Sequence, residues 1–156
     1  GSFSGIRVGI SWVRGVCAGT GAAVRGVPSS LALACEAGDL APGQCVGVLH
    51  DARQKQIILS TYRRLAAGWE TVDEPAVMAP QALPTDRHAV FVTAQEPVAE
   101  LVGATLGALL RRVPTIEARH LLAADCPWPA DHPATLASIE PAYVRPAVFV
   151  KPRPGG

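Results

Sequence analysis

The sequence lacks the residue groupings that carry most common chemistries. Its histidines, His50, His88, His120 and His132, stand far apart, so no two lie one helical turn apart as a helical metal site requires. Cys17, Cys35, Cys45 and Cys126 include no C-x-x-C spacing. They sit among apolar neighbours, where a thiol is expected to be a buried, reduced, small hydrophobe. A G-x-S-x-G elbow is missing too, because Gly1-Ser2-Phe3-Ser4-Gly5 puts phenylalanine at the centre. P-loop and dinucleotide fingerprints are also absent. Catalytic groups can converge from distant positions, so these gaps count against an enzyme without excluding one. The expectation is a chain with no catalytic residue and no metal ligand of its own.

Charge of one sign is scarce as well. Fourteen basic residues face 13 acidic ones, a net charge of +1, which gives no clustered cation field for gripping phosphates. Arg63-Arg64, beside Tyr62, is the densest basic spot and reads as a solvated strand end. No run approaches the ~18 apolar residues of a membrane span, and no basic-then-apolar leader opens the sequence. A cytoplasmic location is expected.

Apolar material is plentiful. Hydrophobic residues make up 49% of the 156 positions and charged ones 17%, enough for one folded domain or two small lobes. The opening stretch reads as a Gly/Ser turn feeding a helix, with Ser2 or Ser4 as cap. From Ile6 to about Ala18, Ile6, Ile10, Val13 and Cys17 recur at helical spacing, and Val8, Trp12 and Val16 broaden the stripe. Gly9 and Gly15 each cost about 1 kcal/mol inside a helix relative to alanine. A closely packed neighbour is the expected reason for them, such as a sheet of the same chain.

Further along, Ala22 to Val27 reads as a short strand. Ser29 and Ser30 are expected to cap a helix from Leu31 to about Ala37, ended by Gly38, and residues 39–43 form a linker. The run from Cys45 to His50 is a buried strand, joined through Asp51-Ala52-Arg53-Gln54-Lys55 to a second strand, Gln56 to Tyr62, as a hairpin. Asp51 and Arg53 could hold a metal or a phosphate, but pairing with each other or capping the turn is the favoured reading. Gly68 to Val72 is an edge-like strand, and Pro75, Pro80 and Pro84 break the next stretch. His88 to Thr93 is another buried strand. Helices are expected from Val98 to Arg112 and from Thr115 to Ala124, then an extended path to Tyr143 and Arg145 and a mobile tail. This order implies an α/β class without fixing the sheet topology.

Three segments share a source. Gly1-Ser2-Phe3-Ser4-Gly5-Ile6-Arg7-Val8-Gly9 resembles the GSFTGLRIG signature of the TsaB family. Asp51-Ala52-Arg53 looks like that family's DAR turn, and Glu140-Pro141-Ala142-Tyr143-Val144-Arg145 resembles its C-terminal xPxYLR segment. The sequence departs from the family's turn, which has a glycine and a nearby aromatic where Lys55 and Ile58 stand.

The resemblance implies the two-lobed actin-like (RNase H-like) ATPase fold, with the first lobe incomplete because the family's opening strands and first helix precede the signature. The sequence has no initiator Met, and a fragment, or a natural chain with an unusual start, is expected. Residues 1–41 would then be the remainder of the first lobe, with 140–156 returning to it, and 44–139 a reduced second lobe. The implied role is a non-catalytic subunit that organises a TsaD-type catalytic paralogue for threonylcarbamoyl transfer to the adenosine beside the tRNA anticodon. No cofactor is expected on this chain, ATP being used by the complex through a TsaE-type ATPase, and tRNA is met only indirectly. Ile6, Gly9, Ile10, Val13 and Cys17 are the implied partner-binding residues, facing the paralogue or a second copy of the chain. The alternative is a metal- or nucleotide-dependent transferase, or a glycoprotease-like peptidase, active alone.

Overall fold

The structure, a computed structural model, describes residues 3–24, 26–114, 139–141 and 144. Helix α1 (Phe3–Thr20) and helix α2 (Ser29–Cys35) come first, then strands β1 (Cys45–Arg53), β2 (Gln56–Arg64) and β3 (Trp69–Met78). Strand β4 (Val90–Thr93), helix α3 (Glu96–Leu106) and strand β5 (Leu110–Arg112) complete the order. The five strands form one sheet in the order β3-β2-β1-β4-β5. The first three make an antiparallel meander, while β4 runs parallel to β1 and β5 parallel to β4.

Alternation along the central strands builds a core on each face of the sheet. Val46, Val48, Tyr62, Val90 and Val92 face α2 and pack with its Leu33 and Ala34. Leu49, Ile57, Leu59 and Phe91 point the other way, against Val98, Val102 and Leu106 of α3. Helix, sheet and helix thus form three layers, and β1 and β4 at the centre are apolar on both faces.

The hairpin lies where the sequence places it, but with a different division. Asp51-Ala52-Arg53 finishes β1 instead of forming the turn, and Gln54-Lys55 make the reversal. Arg53, Gln54 and Lys55 all have positive φ, 66°, 54° and 59°, as a tight hairpin of this hand needs.

Four other expectations change. Residues 22–24, 26 and 27 form no strand. Pro28 rather than a serine precedes α2, and the buried Ser30 hydroxyl instead meets the Tyr62 hydroxyl at 2.7 Å. Strand β3 continues through Pro75 to Met78, which is tolerated because β3 is an edge and a missing N–H there breaks no ladder. The helix expected to reach Arg112 stops at Leu106, where Gly107 takes φ +51° and the chain turns into β5. The expected helix 115–124, Tyr143, Arg145 and the tail lie outside the described residues.

The Ser30–Tyr62 contact ties α2 to the sheet through a polar bond in an apolar core. Tyr62→Phe leaves the Ser30 hydroxyl short of that partner, so unfolding in urea should show a loss of about 1–2 kcal/mol. An unchanged midpoint would show that the bond contributes nothing.

Candidate functional site

Helix α1 differs from the other two helices in what it leaves open. Among the described residues it shares no broad contact with α2, α3 or the sheet. Val8, Trp12 and Val16 recur at intervals of four and fall on one face, where Trp12 is 69% and Val8 68% exposed. Val16 on that face and Ile6 near the helix start are each 42% exposed. A side-chain carbon added at Gly9, Gly15 or Gly19 would meet nothing within 4 Å. The glycines therefore answer no neighbour among the described residues, and they leave flat, open ground beside Trp12.

The opposite face is more enclosed. Ile10 and Val13 are half-buried and Cys17 is buried. Arg14 donates from its guanidinium to the Ile139 carbonyl, and Arg7, Ser11 and Arg14 line an open cleft of about 360 Å³ against Ile139, Glu140 and Pro141. The sequence-predicted binding residues thus divide. Gly9 lies on the open side; Ile6 begins the stripe of Ile10, Val13 and Cys17 and is exposed there, Ile10 and Val13 are half-buried, and Cys17 is inside. Val8, Trp12 and Val16 are the more exposed residues, and a tryptophan three positions after a helical glycine is the signal that picks them out.

At the end of β1, Asp51 is engaged locally. One carboxylate oxygen accepts from the Arg53 backbone N–H at 2.7 Å and the other lies 3.8 Å from the Arg53 guanidinium. The Asp51 backbone N–H donates to the Gln95 side chain at 2.7 Å, and the Thr93 hydroxyl donates to the Leu49 carbonyl. The crevice between β1 and β4, where an open α/β sheet commonly receives a ligand, is bridged by the chain's own groups. Of the alternatives open for Asp51 and Arg53, the self-pairing one is what the structure displays.

Two imidazoles are shielded. Burial holds both His50 and His88 below the ordinary imidazole range. Cys17, Cys35 and Cys45 form no disulfide among the described residues, the first being buried and the other two half-buried. Arg63 pairs with Glu70 at 3.0 Å, and Arg64 lies over the Trp69 ring. Among the described residues, no three His, Cys, Asp or Glu side chains converge as a metal would need, and no helix is long and apolar enough to cross a membrane.

Comparison with solved structures adds the fold's relatives. An uncharacterized protein with similarity to peptidase YeaZ, from Pseudomonas aeruginosa, superposes with a TM-score of 0.71 at 20% identity, over 93% of this chain and 69% of that one. YeaZ from Pseudomonas aeruginosa superposes with a TM-score of 0.60 at 22% identity, over 80% of this chain and 60% of that one. The fold is YeaZ-like. It is therefore α/β of the actin-like ATPase type, with the first lobe present in part. The chain spans 60% of the length of the second YeaZ-like structure. No protein-family model and no curated protein matches the sequence.

Proposed function

We propose that this chain is a non-catalytic subunit that docks onto a TsaD-type catalytic paralogue and organises it for threonylcarbamoyl transfer to tRNA. A TsaE-type ATPase joins through the complex and supplies the ATP-dependent step, and tRNA is reached through the partners. The observation that carries this reading is the open apolar face of α1, on a YeaZ-like fold. A helix apolar on its free side associates with another helix or a sheet. Gly9 contributes from the residues expected in the sequence, with Val8, Trp12 and Val16 beside it, and Ile6 adds exposed apolar surface at the helix start, while Ile10, Val13 and Cys17 support the helix from its other side. In this proposal residues 1–41, with 140–156 returning, complete the first lobe, 44–139 form the second, and the complex works in the cytoplasm.

The test pairs a flat site with its anchor. Gly9→Trp adds bulk where a side chain meets nothing within 4 Å, so the fold should keep its melting temperature or gain slightly, since glycine is a poor helix former. Binding of the purified catalytic paralogue, read by calorimetry, should weaken at least about 30-fold for Gly9→Trp and for Trp12→Ala, as expected for an aromatic hot spot. Undiminished binding in both would refute the assignment. Metal-dependent peptide cleavage by the isolated chain would favour the peptidase reading instead.

A further inference from the structure

The segment between β3 and β4 crosses the sheet without joining it. It runs from Ala79 through a short 3-10 turn, Pro80–Ala82, to His88, and buries Leu83 among Leu49, Phe91, Val98 and Val102. Two side chains tie its far end to the sheet. Arg87 pairs with Asp73 of β3 at 2.9 Å, with both groups about half exposed. His88, 5% exposed, makes the enclosed tie: its Nδ1 lies 2.8 Å from the Pro84 carbonyl and its Nε2 3.1 Å from the Thr61 hydroxyl of β2.

These contacts set the tautomer. A carbonyl oxygen only accepts, so Nδ1 carries the proton and donates to Pro84, and Nε2 accepts from the Thr61 hydroxyl. The ring is packed against Phe91, with centroids 4.7 Å apart. Adding a second proton would reverse the Thr61 bond, since that hydroxyl would have to turn and accept. It would also place a cation in a site where Thr61 is 3% exposed, and a buried charge is costly unless it is paired. The charged groups nearest the ring among the described residues are Arg87 and Asp86 on the same segment and Asp73 on β3.

We infer that residues 79–88 form an acid-released strap, held closed by neutral His88 bridging Thr61 and the Pro84 carbonyl, and opened when that imidazole takes up a proton. Opening uncovers Leu83 and the Phe91 ring, so acidification converts a sealed sheet face into an apolar surface. The balance of influences on proton affinity favours the neutral ring. Burial is the largest and disfavours the imidazolium; Arg87 acts with it, while the Pro84 bond, Asp73 and Asp86 oppose it. Because the closed strap holds the imidazole below its ordinary value of 6.5, the tie is at full strength above that pH. It is lost as pH falls through the lower value of the closed form.

Amide hydrogen exchange of the whole chain between pH 7.5 and pH 5, corrected for the intrinsic pH dependence of exchange, tests the strap. Peptides covering 79–89 should open ahead of those from β1 and β2, with protection falling up to about tenfold per pH unit once below about 6.5. His88→Gln cannot titrate and should remove that pH dependence, whatever its baseline protection. Equal pH dependence in the variant would overturn the strap, as would strap and sheet peptides opening together. An NMR titration of the His88 ring reporting an ordinary or raised pKa with the strap still protected would overturn it as well.

Discussion

Gly47→Val should destabilise the protein by about 3 kcal/mol, as severe overpacking of a core does. Gly47 lies in β1 with β2 on one side and β4 on the other, and it pairs directly with Phe91. The Phe91 ring occupies the space a side chain would take. An added carbon would fall 2.6 Å from Phe91 Cε1 and 3.0 Å from Leu59 Cδ1. Both residues belong to the core under α3, Phe91 being fully buried, so the ring can leave only by displacing α3 or the 79–88 segment packed on it. Urea unfolding would show the loss as a lower midpoint at unchanged slope. The cause is separable from β propensity, since valine is a better strand former than glycine. Gly47→Ala combined with Phe91→Leu should therefore be more stable than the sum of the two single effects predicts, by about 1 kcal/mol or more. Strict additivity would show that the ring is not what excludes the side chain.

Leu33→Ala is the second large effect, for a different reason. Helix α2 has seven residues, well below the ~12–15 at which an isolated helix becomes marginal in water. It exists because Leu33, Ala34 and Ala37 are sealed against Val46, Val48, Val90 and Val92. Leu33 is the largest fully buried side chain the helix contributes. Its truncation should cost about 3 kcal/mol and lower the melting temperature by roughly 6–12 °C. The damage should be local first. Gly38, at φ +83°, and the Arg111 side chain, which donates to the Ala37 carbonyl, fix the helix end, so limited proteolysis should begin between residues 28 and 44 while β1 to β3 stay protected. Cleavage spread evenly along the chain would contradict an independently loosened α2.

The central strands were legible in the sequence because a buried strand declares itself by an uninterrupted apolar run. Cys45 to His50 and the stretch ending at Thr93 are of that kind, and β1 and β4, like β2, are covered on both faces. Strand β5 was not legible. Leu109 and Leu110 continue the helical spacing of Leu101, Val102 and Leu106, and only the positive φ of Gly107 ends the helix before them. The strand read over residues 22–27 did not appear either: residues 22–24, 26 and 27 make no pairing with the sheet.

For the candidate site, periodicity located α1 but not its orientation. A helix with Ile6, Val8, Ile10, Trp12, Val13 and Val16 is apolar most of the way round, so spacing cannot say which side stays open. That depended on Arg14 reaching Ile139, 125 positions away. The open side proves to be the one carrying Trp12 and the glycines.

Strand β3 has one more consequence, for crowded solutions. It is ten residues long and forms an outer edge of the sheet, a template on which a strand from another molecule could add. Glu70 and Asp73, each held in an ion pair, and Glu74 crowd it with charged groups, and Pro75 removes a donor from the middle of the row. An incoming strand would meet charged, ion-paired side chains and a gap in its hydrogen bonds, which is how natural sheets discourage fibre growth. The proline that looked like a strand breaker thus guards the exposed rim against runaway stacking of one copy on the next.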